Sequence, residues 1–224
     1  MNKILLAVAA TGFVVVGLPM SSFATIIHDG DFSVPNEGAG NTAYVYNPTG
    51  TAWTFAGGSG VTALPSYWAE GPAAPPASGQ VAFLQGVGAD ISQLVTVGSA
   101  GTYLLSWDTA GRPATPWGQG GNVTYTVSVT PPGTSGGTST TTGANFYSPV
   151  AFTAYSFLVN LAVGSTVVDF DVSSVNPAGT DESAFIDNVS LTPVPEASTI
   201  VSGALMLLPL GVSVARIMRK NLVA

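Results

Sequence analysis

The sequence predicts an all-β chain: a single antiparallel β-sandwich, or jelly roll, between two terminal segments of different character. Three observations lead there. Between residues 25 and 193, short runs rich in Val, Thr, Phe and Tyr alternate apolar and polar side chains, the period of a strand with one buried face. These runs are separated by turn formers, and the chain holds 27 Gly and 16 Pro. No stretch of this body sustains a helical period. Roughly eight to ten such strands in one domain make two packed sheets.

The strands follow in order. A strand-like WTF (53–55) comes first, then QVAFLQG (80–86), DISQLVTV (90–97), GTYLLSWDT (101–109), NVTYTVSVT (122–130), AYSFLVNLAV (154–163), STVVDFDV (165–172) and SAFIDNVSL (183–191). In GTYLLSWDT, Tyr103, Leu105 and Trp107 share one face. In SAFIDNVSL, simple alternation puts Phe185, Asp187 and Val189 on one face and Ala184, Ile186, Asn188 and Ser190 on the other. Residues 69–79 form a Pro-rich connection. Residues 131–143, PPGTSGGTSTTTG, read as a solvated hairpin loop or a glycosylated segment.

Charge narrows the function. The body carries eleven carboxylates against one guanidinium, Arg112, a formal charge of −10 with His28 neutral. One cation cannot release counterions along a phosphate backbone, which excludes nucleic acid as a partner. There is no Cys, so the exported fold must be held by its own core rather than by disulfides.

The ends read as addresses. Residues 1–24 are a secretory signal peptide: Lys3 is the basic start, Ile4 to Met20 the apolar stretch, and Ser22-Phe23-Ala24 the small-residue cleavage site for signal peptidase. The body then runs from 25 to 193. The tail, 194–224, has an apolar run from Ile200 to Ala215, sixteen residues that span about 24 Å as a helix. With Ser198 and Thr199 it predicts a transmembrane helix over about 198–215. Arg216, Arg219 and Lys220 follow directly and keep the C-terminus cytoplasmic by the positive-inside rule.

Ahead of that span stands Val194-Pro195-Glu196-Ala197-Ser198-Thr199. Motif, apolar span and basic end together resemble the PEP-CTERM sorting signal. The resemblance implies processing by an exosortase-type enzyme at the inner membrane and release to the cell envelope or extracellular polysaccharide, much as a GPI signal loses its apolar tail. The second proline of the usual motif is Ala197 here.

The order of motifs in the body resembles the galactose-binding-like jelly roll of carbohydrate-binding modules. The matching pieces are Gly30-Asp31-Phe32, Trp53-Thr54-Phe55, Gly58-Ser59-Gly60-Val61, Gly79 to Gly86, Ile91-Ser92-Gln93, Gly101 to Asp108 with Gly111-Arg112, and Ala184 to Leu191. The resemblance implies a non-catalytic body that binds carbohydrate. It also implies a structural Ca²⁺ tying the first strand to the last, held by the Gly30/Asp31 region and Asp187. The residue after Phe32, often acidic in the family, is Ser33; Asp29 or Glu37 would have to compensate. Asp187 could instead hydrogen-bond a turn or the first strand.

For a ligand, Arg112 offers a planar donor fork in the loop AGRPATPWGQGG (110–121) beside Trp117, or else an internal ion pair with Asp108 or another acid. Trp68 and Trp117 lie in Pro/Gly-rich loops, as exposed platforms for a sugar ring or as packing on the sandwich edge, whereas Trp53 and Trp107 belong to the core. His28 is the one histidine and has no nucleophile-elbow motif with it. The carboxylates Asp169/Asp171 and Asp181/Glu182 read as solvated or Ca²⁺-related, with no cleft of the kind a glycosidase needs. The expected function is an exported, non-enzymatic carbohydrate-binding sandwich. A matrix or spacer protein without a ligand and a secreted hydrolase are the alternatives.

Overall fold

The computed structural model describes residues 24–40, 42–64, 79–112, 122–130, 144–147, 151–176 and 182–195. The signal peptide up to residue 23, Trp68, Trp117, the 131–143 loop and the tail from Glu196 lie outside the described residues. Among the described residues no helix is long and apolar enough to cross a membrane.

Eleven strands are described: β1 (Tyr44–Tyr46), β2 (Thr54–Ala56), β3 (Ser59–Ala63), β4 (Gln80–Gln85), β5 (Asp90–Val97), β6 (Gly101–Gly111), β7 (Asn122–Thr130), β8 (Ala144–Tyr147), β9 (Thr153–Leu161), β10 (Gly164–Asn176) and β11 (Ser183–Pro193). They form two antiparallel sheets, six strands in the order β1-β3-β4-β11-β6-β9 and five in the order β2-β5-β10-β7-β8. This is the predicted all-β sandwich. The seven long runs read from alternation fall on β4, β5, β6, β7, β9, β10 and β11.

The core lies between the sheets. From the six-stranded sheet come Leu84, Leu105, Trp107, Ile186 and Leu191; from the other come Ile91, Tyr125, Val127, Val168 and Phe170. Trp107 meets Phe170 edge-on at 5.8 Å and donates from Nε1 to Tyr125 Oη at 3.0 Å. Hydrogen bonding at the Tyr125 hydroxyl thus joins the two sheets inside apolar packing, and burial pushes the Tyr125 phenol up. Each large side chain buried this way is worth about 1.5–3 kcal/mol.

The faces of β11 differ from simple alternation. Its register against β6 shifts between Asp187 and Ser190, and Asn188 adopts φ 50°. This is a β-bulge, which inserts one residue and swaps the faces beyond it. Val189 therefore points into the main core with Ala184 and Ile186, not to the opposite face with Phe185 and Asp187, both of which are also buried.

The segment before β1 closes the sandwich. Ile26 N donates to Leu191 O at 3.0 Å, Leu191 N to Thr25 Oγ1 at 3.0 Å, and Val189 N to Gly30 O at 2.8 Å. The side chain of Gln93 on β5 grips the His28 backbone, accepting from N at 2.9 Å and donating to O at 2.8 Å. The segment thus ties β11 to the opposite sheet. Position 30 must be glycine, because a Cβ there would lie 2.0 Å from Val189 O.

Candidate functional site

Three places on the described surface carry chemistry. The first is a pair of tyrosine rings at the edge of the six-stranded sheet. Alternation along β1 turns Val45 toward the core and leaves Tyr44 and Tyr46 outside, 36 % and 40 % exposed. Their support is built from the next strands. Gly60 on β3 has no side chain, and the Phe83 ring of β4 occupies the space a Cβ would need, 2.6 Å from that position. Tyr46 packs edge-on against Phe83 with ring centroids 5.0 Å apart, and its hydroxyl donates to Gln85 Oε1. Tyr44 stands at 88° to Tyr46, 6.1 Å away. The rings form a corner held from below and at one tip, so little rotamer freedom remains to be lost on contact. Leu64 N donates to Gly79 O at 2.8 Å beside this corner; residues 65–78, with Trp68, connect those two positions.

The second place is the joint of the first segment with β11. Asp31, Asp108 and Asp29 surround Asp187 there, and burial, with Asp31 adding to it, also raises the proton affinity of Asp29. Asp187 is fully buried; its Oδ1 accepts from Asn188 N at 2.6 Å, and its Oδ2 has no hydrogen-bond partner. Burial, reinforced by Asp31, Asp108 and Asp29, pushes its carboxyl up to about 8. Asn188 Nδ2 donates to Asp108 Oδ2 at 2.8 Å, and Ser33 Oγ donates to Asp29 Oδ1 at 3.0 Å. The predicted Ca²⁺ residues Gly30, Asp31 and Asp187 are therefore gathered at one end, and the orphaned Asp187 Oδ2 suits a hard cation. Among the described residues, however, no three carboxylates, imidazoles or thiolates converge into a metal-holding group. A Ca²⁺ held by Asp31 and Asp187 would need backbone carbonyls and water to complete its shell. Backbone pairing already ties the first segment to the last strand.

The third place is the outer face of the five-stranded sheet. Asp169 and Asp171 share that face on β10, as alternation predicts, and Asp171 lies opposite Asp90 on β5. The Asp90 carboxyl is the hydrogen-bond partner of Asp169; burial, then Asp90 and Asp171, pushes Asp169 up to about 8. Thr126 and Ser128 flank these acids on β7. Asp169 is therefore not the solvated carboxylate expected from its sequence position. Nor is Glu182, which is fully buried at the start of β11 with neither carboxylate oxygen hydrogen-bonded.

The remaining expected residues separate. Arg112 lies just past β6, only 5 % exposed, its N–H bonded to Ser183 O at 2.9 Å. A guanidinium so covered does not stand on an open rim. Trp53 and Trp107 are buried, as expected. His28 is exposed and outside any strand. Sequence reasoning passed over Tyr44 and Tyr46; the available signal was the three-residue alternation YVY just before a turn.

No protein-family model matches the chain, and no curated protein matches it. Solved structures do. The carbohydrate-binding module TmCBM61 in complex with beta-1,4-galactotriose aligns over 76 % of this chain and 99 % of its own, at 13 % identity and a TM-score of 0.49. The CBM22-1 xylan-binding domain of Paenibacillus barcinonensis Xyn10C aligns over 72 % and 92 %, at 12 % identity and a TM-score of 0.44. The enzymatically active domain of bacteriophage CBA120 tailspike protein 4 aligns over 76 % of this chain and 21 % of its own, at 13 % identity and a TM-score of 0.47.

Proposed function

We propose that the chain is an exported, non-catalytic β-sandwich that binds carbohydrate and is delivered to the envelope or the extracellular polysaccharide through its C-terminal sorting signal. The observation that carries the binding half is the Tyr44/Tyr46 corner. Two aromatic rings are exposed: Tyr46 is propped by Phe83 over Gly60 and pinned at the hydroxyl by Gln85, and Tyr44 stands edge-on to Tyr46. Sugars present C–H faces to such rings and hydroxyls to amides beside them, and a rigid aromatic supplies contact area at small entropic cost. Trp68, in the segment that leaves and returns beside the corner, is proposed to extend the platform. Trp117 remains a proposed second plate, with Arg112 as its proposed polar partner. The sorting half rests on the sequence: the signal peptide, the Val194 to Thr199 motif, the apolar span and the three basic residues. Its partners are signal peptidase, an exosortase-type enzyme and the inner membrane.

Affinity electrophoresis in gels containing neutral polysaccharides tests the binding half. Tyr46→Ala should weaken retention several-fold, Tyr44→Ala and Trp68→Ala somewhat less, with melting temperatures held within a few degrees. Equal retention of all three variants and the parent would sink this assignment. A parent that no polysaccharide retards would make the body a matrix or spacer domain.

A further inference from the structure

Among the described residues, three of the four sheet edges are blunted by length. β1 and β2 have three residues each and β8 has four. The fourth edge, β9, has nine: Thr-Ala-Tyr-Ser-Phe-Leu-Val-Asn-Leu, with no charge, Pro, Gly or register shift. Proteins protect long edges with lysines, prolines, bulges or a covering element, because an open edge offers a ladder of unpaired N–H and C=O groups. Among the described residues no strand pairs with the far side of β9. Its outer row includes Leu158, 59 % exposed, and its inner row holds Tyr155 and Phe157, half-buried against Trp107 at ring distances of 5.9 Å each.

We propose that β9 is a self-association edge, pairing antiparallel with β9 of a second copy to make one continuous sheet across a two-fold axis. Charge selects the occupant. The body carries −10, so most approaches between copies set carboxylate against carboxylate. Residues 153 to 164 hold no Asp, Glu, Lys, Arg or His, and the nearest acid on the neighbouring strand, Asp108, lies at one end opposite Ala154. Centring the dyad on Phe157 pairs Tyr155 with the other copy's Val159 and Ser156 with its Leu158. Aromatic and β-branched residues facing across a ladder are favourable pairs. The two Asp108 carboxylates then sit at opposite ends of the junction, about 25 Å apart from strand spacing and rise, beyond a Debye length of about 8 Å. The contact is isologous and closes on itself, so it yields dimers rather than fibres.

The test uses the full chain in mild detergent, which holds the apolar termini. Sedimentation equilibrium should give a concentration-dependent dimer of the 22.6 kDa chain. Ser156→Lys with Leu158→Lys places lysines directly opposite one another across the dyad at exposed positions. It should give a monomer with an unchanged melting temperature. The chain has no cysteine, so register can be read directly. Oxidising a mixture of Ser156→Cys and Leu158→Cys chains should give a mixed disulfide dimer at several times the yield of either chain alone. A parent that stays monomeric overturns the proposal and leaves the edge to a strand of another protein or to solvent. A dimer that survives the double lysine variant also overturns it, and would place self-association elsewhere, for example in the apolar tail.

Discussion

Asp169 and Asp90 share hydrogen-bonding on one polar sheet face, with Asp171 beside them, and the consequence is a stability that depends on pH. Burial is the first cause, and the two neighbouring carboxyls add to it. A group raised from 3.8 to about 8 binds a proton in the folded chain that the unfolded chain has lost between those values. Stability from this group is therefore greatest below about pH 4 and declines as pH rises toward 8. Asp169→Asn removes the titration and keeps the shape. It should raise stability at pH 8–9 by about 2 kcal/mol, discounted for remaining solvent contact, and change little at pH 4. Urea titrations at the two pH values check this; equal effects at both would show that Asp169 binds its proton alike in the folded and the unfolded chain. The sequence showed Asp169 and Asp171 on one face, because alternation is local. It could not show Asp90, because the register of β10 against β5 is fixed by the whole sandwich. The Tyr44/Tyr46 corner was hidden similarly: the propping of Tyr46 by Phe83 over Gly60 joins three strands.

The elements were legible where they are long and one-sided. β5 and β7 match their predicted limits because Asp90 to Val97 and Asn122 to Thr130 alternate without interruption. β1 and β8 were not foreseen, since three or four residues carry too little period to register. The faces of β11 were misread past Asp187 because a bulge shifts the period by one, and nothing in SAFIDNVSL except Asn188, a residue tolerant of positive φ, announces it. That bulge matters beyond register. It brings Val189 to Gly30 and leaves Asp187 buried beside the Asp29–Asp31 turn, with Oδ2 unpartnered. We propose that Asp31 and Asp187, with carbonyls and water, take up Ca²⁺ here. Binding confined to the folded state raises stability by mass action, so millimolar Ca²⁺ should raise the melting temperature over that in chelator by several degrees. Asp187→Asn should abolish the difference while itself stabilising the chelated protein, since it removes a buried carboxyl. Superimposable melting curves with Ca²⁺ and with chelator would leave the joint to its backbone hydrogen bonds alone.

At the scale of the whole molecule, the described structure ends at Pro195, where the proposed sorting motif begins. Val194 N donates to Thr102 O at 2.8 Å on β6, so the motif starts directly on the sheet. Export and orientation are proposed without reference to the fold, because they rest on composition and order rather than on register. The proposal they support is that the tail holds the precursor with its body outside and its C-terminus in the cytoplasm. The apolar run from Ile200 to Ala215 would cross about 24 Å of a hydrocarbon core of roughly 30 Å. So short a span leaves little surplus hydrophobic free energy, and orientation should depend heavily on Arg216, Arg219 and Lys220. Changing all three to Glu removes the cytoplasmic anchor and adds charges that resist none of the usual translocation bias. In whole cells, a C-terminal epitope on the parent precursor should be shielded from external protease and cut only after permeabilisation. In the triple Glu variant the epitope should become accessible in intact cells, or the precursor should leave the membrane fraction. Identical protection of parent and variant, with equal membrane retention, would mean that the tail does not orient the chain and that the body reaches its destination by another signal.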